Sequence, residues 1–137
     1  MALECLKQIT SSLNIELKPS AVMTDFEKAL RNALSKSFPK AKLSGCYFHF
    51  TKCLWEKFSK LGLRTKDFKR KSRLLISFFQ VIAHCPVNLG KSFFNEVKDI
   101  FKTESDRFQP LFTYFKNIWL SNGFLDELVK AVNSGNL

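Results

Sequence analysis

From Leu74 onward every apolar run of this chain recurs at helical spacing, and none alternates as a strand does. Leu74, Leu75, Phe78, Phe79 and Ile82 form one stripe, ended by Cys85-Pro86. Leu89, Phe93, Val97, Ile100 and Phe101 form a second, and Phe108, Leu111, Phe112, Phe115 and Trp119 a third that stops near Gly123. Leu125, Leu128, Val129 and Val132 predict a short last helix. A second half committed to helices leaves only the first half for a sheet, so an all-β fold is excluded.

The first half has room for little sheet. Leu3, Leu6, Ile9 and Leu13 predict an amphipathic helix over 2–13, and Pro19 breaks the chain after it. Ala21-Val22-Met23 reads as a short buried strand. Thr24 followed by Glu27 reads as a capping box, opening a helix whose stripe is Phe26, Ala29, Leu30, Ala33, Leu34 and Ser37. Phe38-Pro39 ends that helix. Leu43 to Phe50 reads as a second strand with Cys46-Tyr47-Phe48-His49 as its body. Phe50, Cys53, Leu54, Lys57, Phe58 and Leu61 then turn helical, with Gly62 as the stop. The fold class is α/β, mostly α.

Two strands do not make a stable sheet face unaided. Either the helices cover them, or further strands of the sheet lie outside this chain. In the second case the strand at 21–24 carries an open edge. Marginal stability and a tendency to associate follow.

Composition narrows the class further. The 137 residues suit one domain, with no linker, repeat or low-complexity stretch. Five Gly and four Pro against 14% aromatic residues exclude a disordered chain. No apolar run approaches the ~20 residues of a membrane helix. The start MALECLKQ lacks the charged, apolar and small-residue series of a secretory signal. Reduced thiols are therefore expected at Cys5, Cys46, Cys53 and Cys85.

The net charge of +10 favours an anionic partner, nucleic acid above all. Its centre is the window 57–73, where Lys57, Lys60, Arg64, Lys66, Lys69, Arg70, Lys71 and Arg73 face one acid, Asp67. That window reads equally as a solvated helix face and as a phosphate-facing surface.

Candidate chemistry is sparse. Asp25 and Glu27 sit where a strand passes into a helix, the place where α/β sheets gather ligands. A carboxylate there suits Mg²⁺ beside a phosphate. Acids in a first turn also simply complement the helix dipole, and spacing alone favours that plainer role. Cys46-x-x-His49 is a two-ligand zinc fragment that Cys53, His84 or Cys85 would have to complete. On a strand its two members face opposite ways, so core packing, with a buried His hydrogen-bonded to a neighbour, is the favoured role. The many Phe residues, Trp55 and Trp119 read as core. No glycine-rich phosphate loop is present, and no third group orients a Cys–His nucleophile pair.

An ordered series of short motifs resembles Mutator-like element (MULE) transposases. It runs from Asp25-x-Glu27-x-Ala29 and Ala33 through Phe38-Pro39 to Cys46-x-Phe48-His49-Phe50. It continues with Leu54-Trp55 and Leu61-Gly62-Leu63, then Phe79, the Ala83–Pro86 region, Tyr114-Phe115 and Trp119-Leu120, covering about residues 1–120. The resemblance implies a fragment of a ribonuclease-H-like fold: a core portion over 1–62 and a helical insertion over 63–137, in one partial domain. It implies metal-dependent DNA cleavage and strand transfer by an Asp-Asp-Glu triad using Mg²⁺ or Mn²⁺, in the nucleus. Asp25 matches the second Asp. Cys46 and His49 match a C-x-x-H motif of supporting role. The first Asp would lie upstream, and Glu127, the one late acid of the right type, lacks the motif expected around the last Glu. The expectation is therefore a transposase-derived chain, catalytically incomplete alone, whose single carboxylate binds metal weakly. Its partners would be DNA, a second copy, or the remaining parts of the transposase domain. Two alternatives stay open: a non-catalytic basic module that binds nucleic acid or another partner, and a zinc-stabilised helical domain.

Overall fold

A computed structural model of the protein describes residues 2–63 and 69–133. Their order is α1 (Ala2–Ser12), β1 (Ala21–Thr24), α2 (Lys28–Ser37), β2 (Lys42–Gly45), α3 (Tyr47–Lys60), α4 (Lys69–Ile82), α5 (Val87–Ile100), α6 (Ser105–Phe115) and α7 (Phe124–Asn133). A 3₁₀ turn, Lys102–Glu104, leads into α6, and a π turn, Lys116–Leu120, extends it. The four helices expected after residue 73 are all present.

The two strands pair in parallel, with Ala21 opposite Lys42 and Thr24 opposite Gly45. Parallel strands need a crossover, and α2 provides it. Sheet geometry ends at Gly45, not at Phe50. Cys46 is already the N-cap of α3, and Tyr47-Phe48-His49 form its first turn. The aromatic run that imitates a strand is the start of a helix whose buried stripe, Phe50, Leu54 and Phe58, overrides local β propensity. Pro39 sits in the turn before β2 and Gly62, at φ +66°, ends the turn after α3.

The core lies in the helical block. Phe50, Leu54, Phe58, Leu75, Phe79, Phe108, Leu111, Phe115 and Trp119 are all at most 1% exposed. Each such side chain contributes roughly 1.5–3 kcal/mol by leaving water. The rings interlock: Phe79 stacks on Phe115 at 4.2 Å, and Phe94 lies parallel to Phe115 at 5.6 Å.

The stripes are rotated from their expected positions in three helices. Along α5 and its C-cap the buried residues are Gly90, Phe94, Val97 and Phe101, while Leu89 and Ile100 are exposed. In α4 Ile76 is buried in place of Leu74. In α2 the buried set is Arg31, Leu34 and, at its C-cap, Phe38, with Leu30 exposed. Periodicity fixes an angle per residue but not which sector faces a neighbour, and packing against the adjoining elements, α3 and α5 for α4 and α7 for α5, chooses that sector.

The sheet is thinly covered. Of β1 only Thr24 is buried, and Met23 is 42% exposed, so β1 is not the buried strand expected. Helix α1 buries none of its residues, and Leu6, Ile9 and Leu13 are 44%, 57% and 63% exposed. Its hold on α2 is Lys7, whose Nζ donates to the Ser37 carbonyl at 3.0 Å and lies 5.0 Å over the Phe38 ring.

Candidate functional site

Asp25 follows the last residue of β1, half-buried. Its Oδ1 accepts the Glu27 backbone N–H at 3.0 Å and the Thr24 hydroxyl at 3.5 Å. That is an Asx turn, and it replaces the capping box expected from Thr24 and Glu27. Thr24 is the end of the strand, and the exposed Glu27 caps α2 through its backbone with no side-chain bond. The sequence feature does mark the helix start, but Asp25 supplies the acceptor.

Arg31 was not expected at this place. It is 8% exposed, donates to the Asp25 carbonyl at 3.4 Å, and pairs through its other terminal nitrogen with the Glu127 carboxylate. Its guanidinium also lies 6.0 Å from the Phe26 ring centre and 5.7 Å from that of Phe124. Glu127 of α7 thus reaches Arg31 of α2 from 96 residues away. A basic residue at the i−3 position of Leu34 was the available signal.

Phe26 fixes this junction to the core. Its ring meets Trp119 edge-on at 4.7 Å, and Trp119 meets Phe50 edge-on at 4.7 Å. Gly45 makes the fit possible, because a Cβ there would stand 2.5 Å from two Phe26 ring atoms.

With β2 ending at Gly45, Cys46 and His49 are three apart across a helix start rather than on opposite strand faces. His49 Nδ1 is buried with no hydrogen-bond partner, so the bonded core histidine expected here is corrected on that atom. Phe48, between them, is 68% exposed and is not core. One turn on, burial pushes the Cys53 thiol above its ordinary pKa, with Glu56 adding to the effect. His84 packs against the Tyr47 ring at 5.0 Å.

Among the described residues no three His, Cys, Asp or Glu side chains come together to hold a metal ion. Among the described residues the Asp25 carboxylate belongs to no such group of three. These residues do not fit a divalent metal pair, which needs several carboxylates.

The basic window divides. Arg64 and Lys66 lie outside the described residues, and Lys69 opens α4. Lys60, Arg70 and Arg73 are exposed. Lys57 lies 5.2 Å over the Tyr114 ring, and Lys71 pairs with Glu104, holding that carboxyl below its usual range. Among the described residues of the window, Lys57 and Lys71 are therefore engaged within the molecule.

The β1–α2–β2 unit places Asp25 at its first junction and Cys46 and His49 at its last. Residues 1–53 match the MULE transposase domain. The MULE match takes in Asp25, Glu27, Cys46 and His49 and ends inside α3 at Cys53, before Leu54-Trp55 and the helical block. It supports a transposase-related function for the chain, with DNA as the class of partner and divalent metal as the family's general cofactor. No curated protein and no solved structure matches the chain. No helix among the described residues is long and apolar enough to cross a membrane.

Proposed function

We propose that this chain is a transposase-derived, DNA-handling domain that does not carry out cleavage and strand transfer unaided. In this reading residues 1–62 are a portion of a ribonuclease-H-like core, and 63–137 are its helical insertion. Asp25 is the position that meets metal when further carboxylates are brought to it. Cys46 and His49 shape the helix start beside it. The reading also entails work on DNA in the nucleus, with the exposed cations Lys60, Arg70 and Arg73 as phosphate contacts.

The observation that carries the proposal is the coincidence of two facts. The MULE match covers residues 1–53, and within it Asp25 directly follows β1, which pairs with a parallel neighbour, at the strand end where α/β sheets place ligands. That no metal-holding cluster surrounds Asp25 among the described residues supports the incomplete form of the activity. Two-metal phosphoryl transfer needs several carboxylates to fix both ions.

The test is a plasmid-nicking assay on the purified chain with Mg²⁺ or Mn²⁺, alongside Asp25→Ala. No nicking above background is expected from either protein. Metal-dependent nicking that disappears in Asp25→Ala would overturn the proposal.

A further inference from the structure

Three adjoining cavities follow the seam between α5 and the α6–π segment. Lys98, Phe94 and Lys116 line both of the first two, of about 200 and 450 Å³. Lys98, Gln109 and Phe112 carry the line into a third of about 240 Å³. Shared walls make them one groove.

Its rim is cationic. Lys91, Lys98 and Lys102 stand on the α5 side, with Lys116 across from them. Asp99 is the one acid among the residues lining the three cavities. All four lysines are exposed, and none of them is among the ion pairs of the described residues. This contrasts with Lys57 and Lys71 of the basic window, which are engaged internally. Asn95, Gln109 and Asn117 add amide hydrogen-bond groups along the same walls. The floor is Phe94 and Phe112, 5% and 3% exposed and packed on each other at 5.8 Å.

The spacing suits a polymer of phosphates. Lys91 and Lys98 recur at i and i+7 on α5, about 10 Å apart along its axis, and Lys102 follows in the 3₁₀ turn, lining the third cavity together with Lys98. One strand of a duplex presents about three phosphates over that length. We propose that this groove is a nucleic-acid surface that holds the phosphodiester backbone, separate from the window at 57–73. The proposal rests on the reading above that DNA is the partner. Because the floor rings are buried, they are closed to base stacking, and contacts stay with phosphates. Such contacts position a nucleic acid without reading its sequence. An anionic lipid surface fits less well, since the exposed aliphatics of α5, Leu89 and Ile100, lie on the side of the helix away from the lysine stripe.

The experiment is fluorescence anisotropy with a short DNA duplex, and with a single strand of the same length, across a salt series. Wild type is compared with Lys98→Gln/Lys102→Gln/Lys116→Gln, with the same three positions changed to Arg, and with Lys60→Gln/Arg70→Gln/Arg73→Gln. The groove variant is expected to lose about 10-fold or more in affinity, and its log–log salt slope to shrink by about 2–3, near 0.9 per lost phosphate contact. The Arg variant should keep both, and circular dichroism should show all variants folded. Equal loss on duplex and single strand marks backbone recognition. Wild-type affinity and slope in the groove variant would overturn the groove while leaving the DNA reading intact. No binding of either DNA by wild type would overturn both. Binding only to phosphatidylserine vesicles would overturn the nucleic-acid assignment.

Discussion

At Gly45 there is room for a hydrogen atom and nothing larger. The Phe26 ring occupies the space a Cβ would need, and that ring anchors the β1–α2 junction to Trp119. Gly45→Ala must push the ring off Trp119 or bend β2 away from β1. A loss of about 1–3 kcal/mol is expected, the usual cost of overpacking, read as a lower urea midpoint with unchanged slope. Restoring room with Phe26→Leu in the same chain should recover part of it, and no change in midpoint on Gly45→Ala would disprove the close fit. From the sequence the glycine is only one position within the strand expected at 43–50. Its role depends on a ring nineteen residues away, which no local pattern reports.

Among the elements, α1 and α3 mark opposite limits of what periodicity can say. Both were legible as helices. For α3 the stripe Phe50, Leu54 and Phe58 is fully buried by the block around it. For α1 the stripe Leu6, Ile9 and Leu13 is as regular and stays exposed. Together with the second edge of β1, which pairs with no other strand among the described residues, this leaves an apolar surface of the kind that drives association. Ile9→Glu with Leu13→Glu is expected to lower self-association, measured by sedimentation velocity, and to leave the thermal midpoint within about 2 °C, as for exposed positions elsewhere. A large drop in midpoint would mean that these side chains are buried in the working form.

Across the whole molecule, one pair ties the first βαβ unit to the last helix. Arg31 is buried and Glu127 is its carboxylate partner, with the Asp25 carbonyl as a second acceptor. Truncating the acid leaves a buried guanidinium short of its main partner. Glu127→Ala is therefore expected to cost about 1–3 kcal/mol in chemical denaturation, less than a fully buried pair because Glu127 is partly exposed. Glu127→Gln should recover part of the loss by keeping an acceptor oxygen. An unchanged midpoint in Glu127→Ala would show that the two halves are held by ring packing alone.

The sequence by itself determined the helical second half, the two short strands with a helix between them, and the stops at Pro39 and Gly62. Each follows from bonds and steric limits within a few residues. It also carried the motif series whose first part, to Cys53, matches the MULE transposase domain. Tertiary structure alone decided which sector of α2, α4 and α5 is buried, that Cys46 to His49 begin a helix, and that Arg31 meets Glu127. It also decided that Lys98 and Lys116 face each other across one groove. These are contacts between residues far apart in the chain. Their free energy comes from area removed from water and from charges brought together, neither of which exists until the elements have packed.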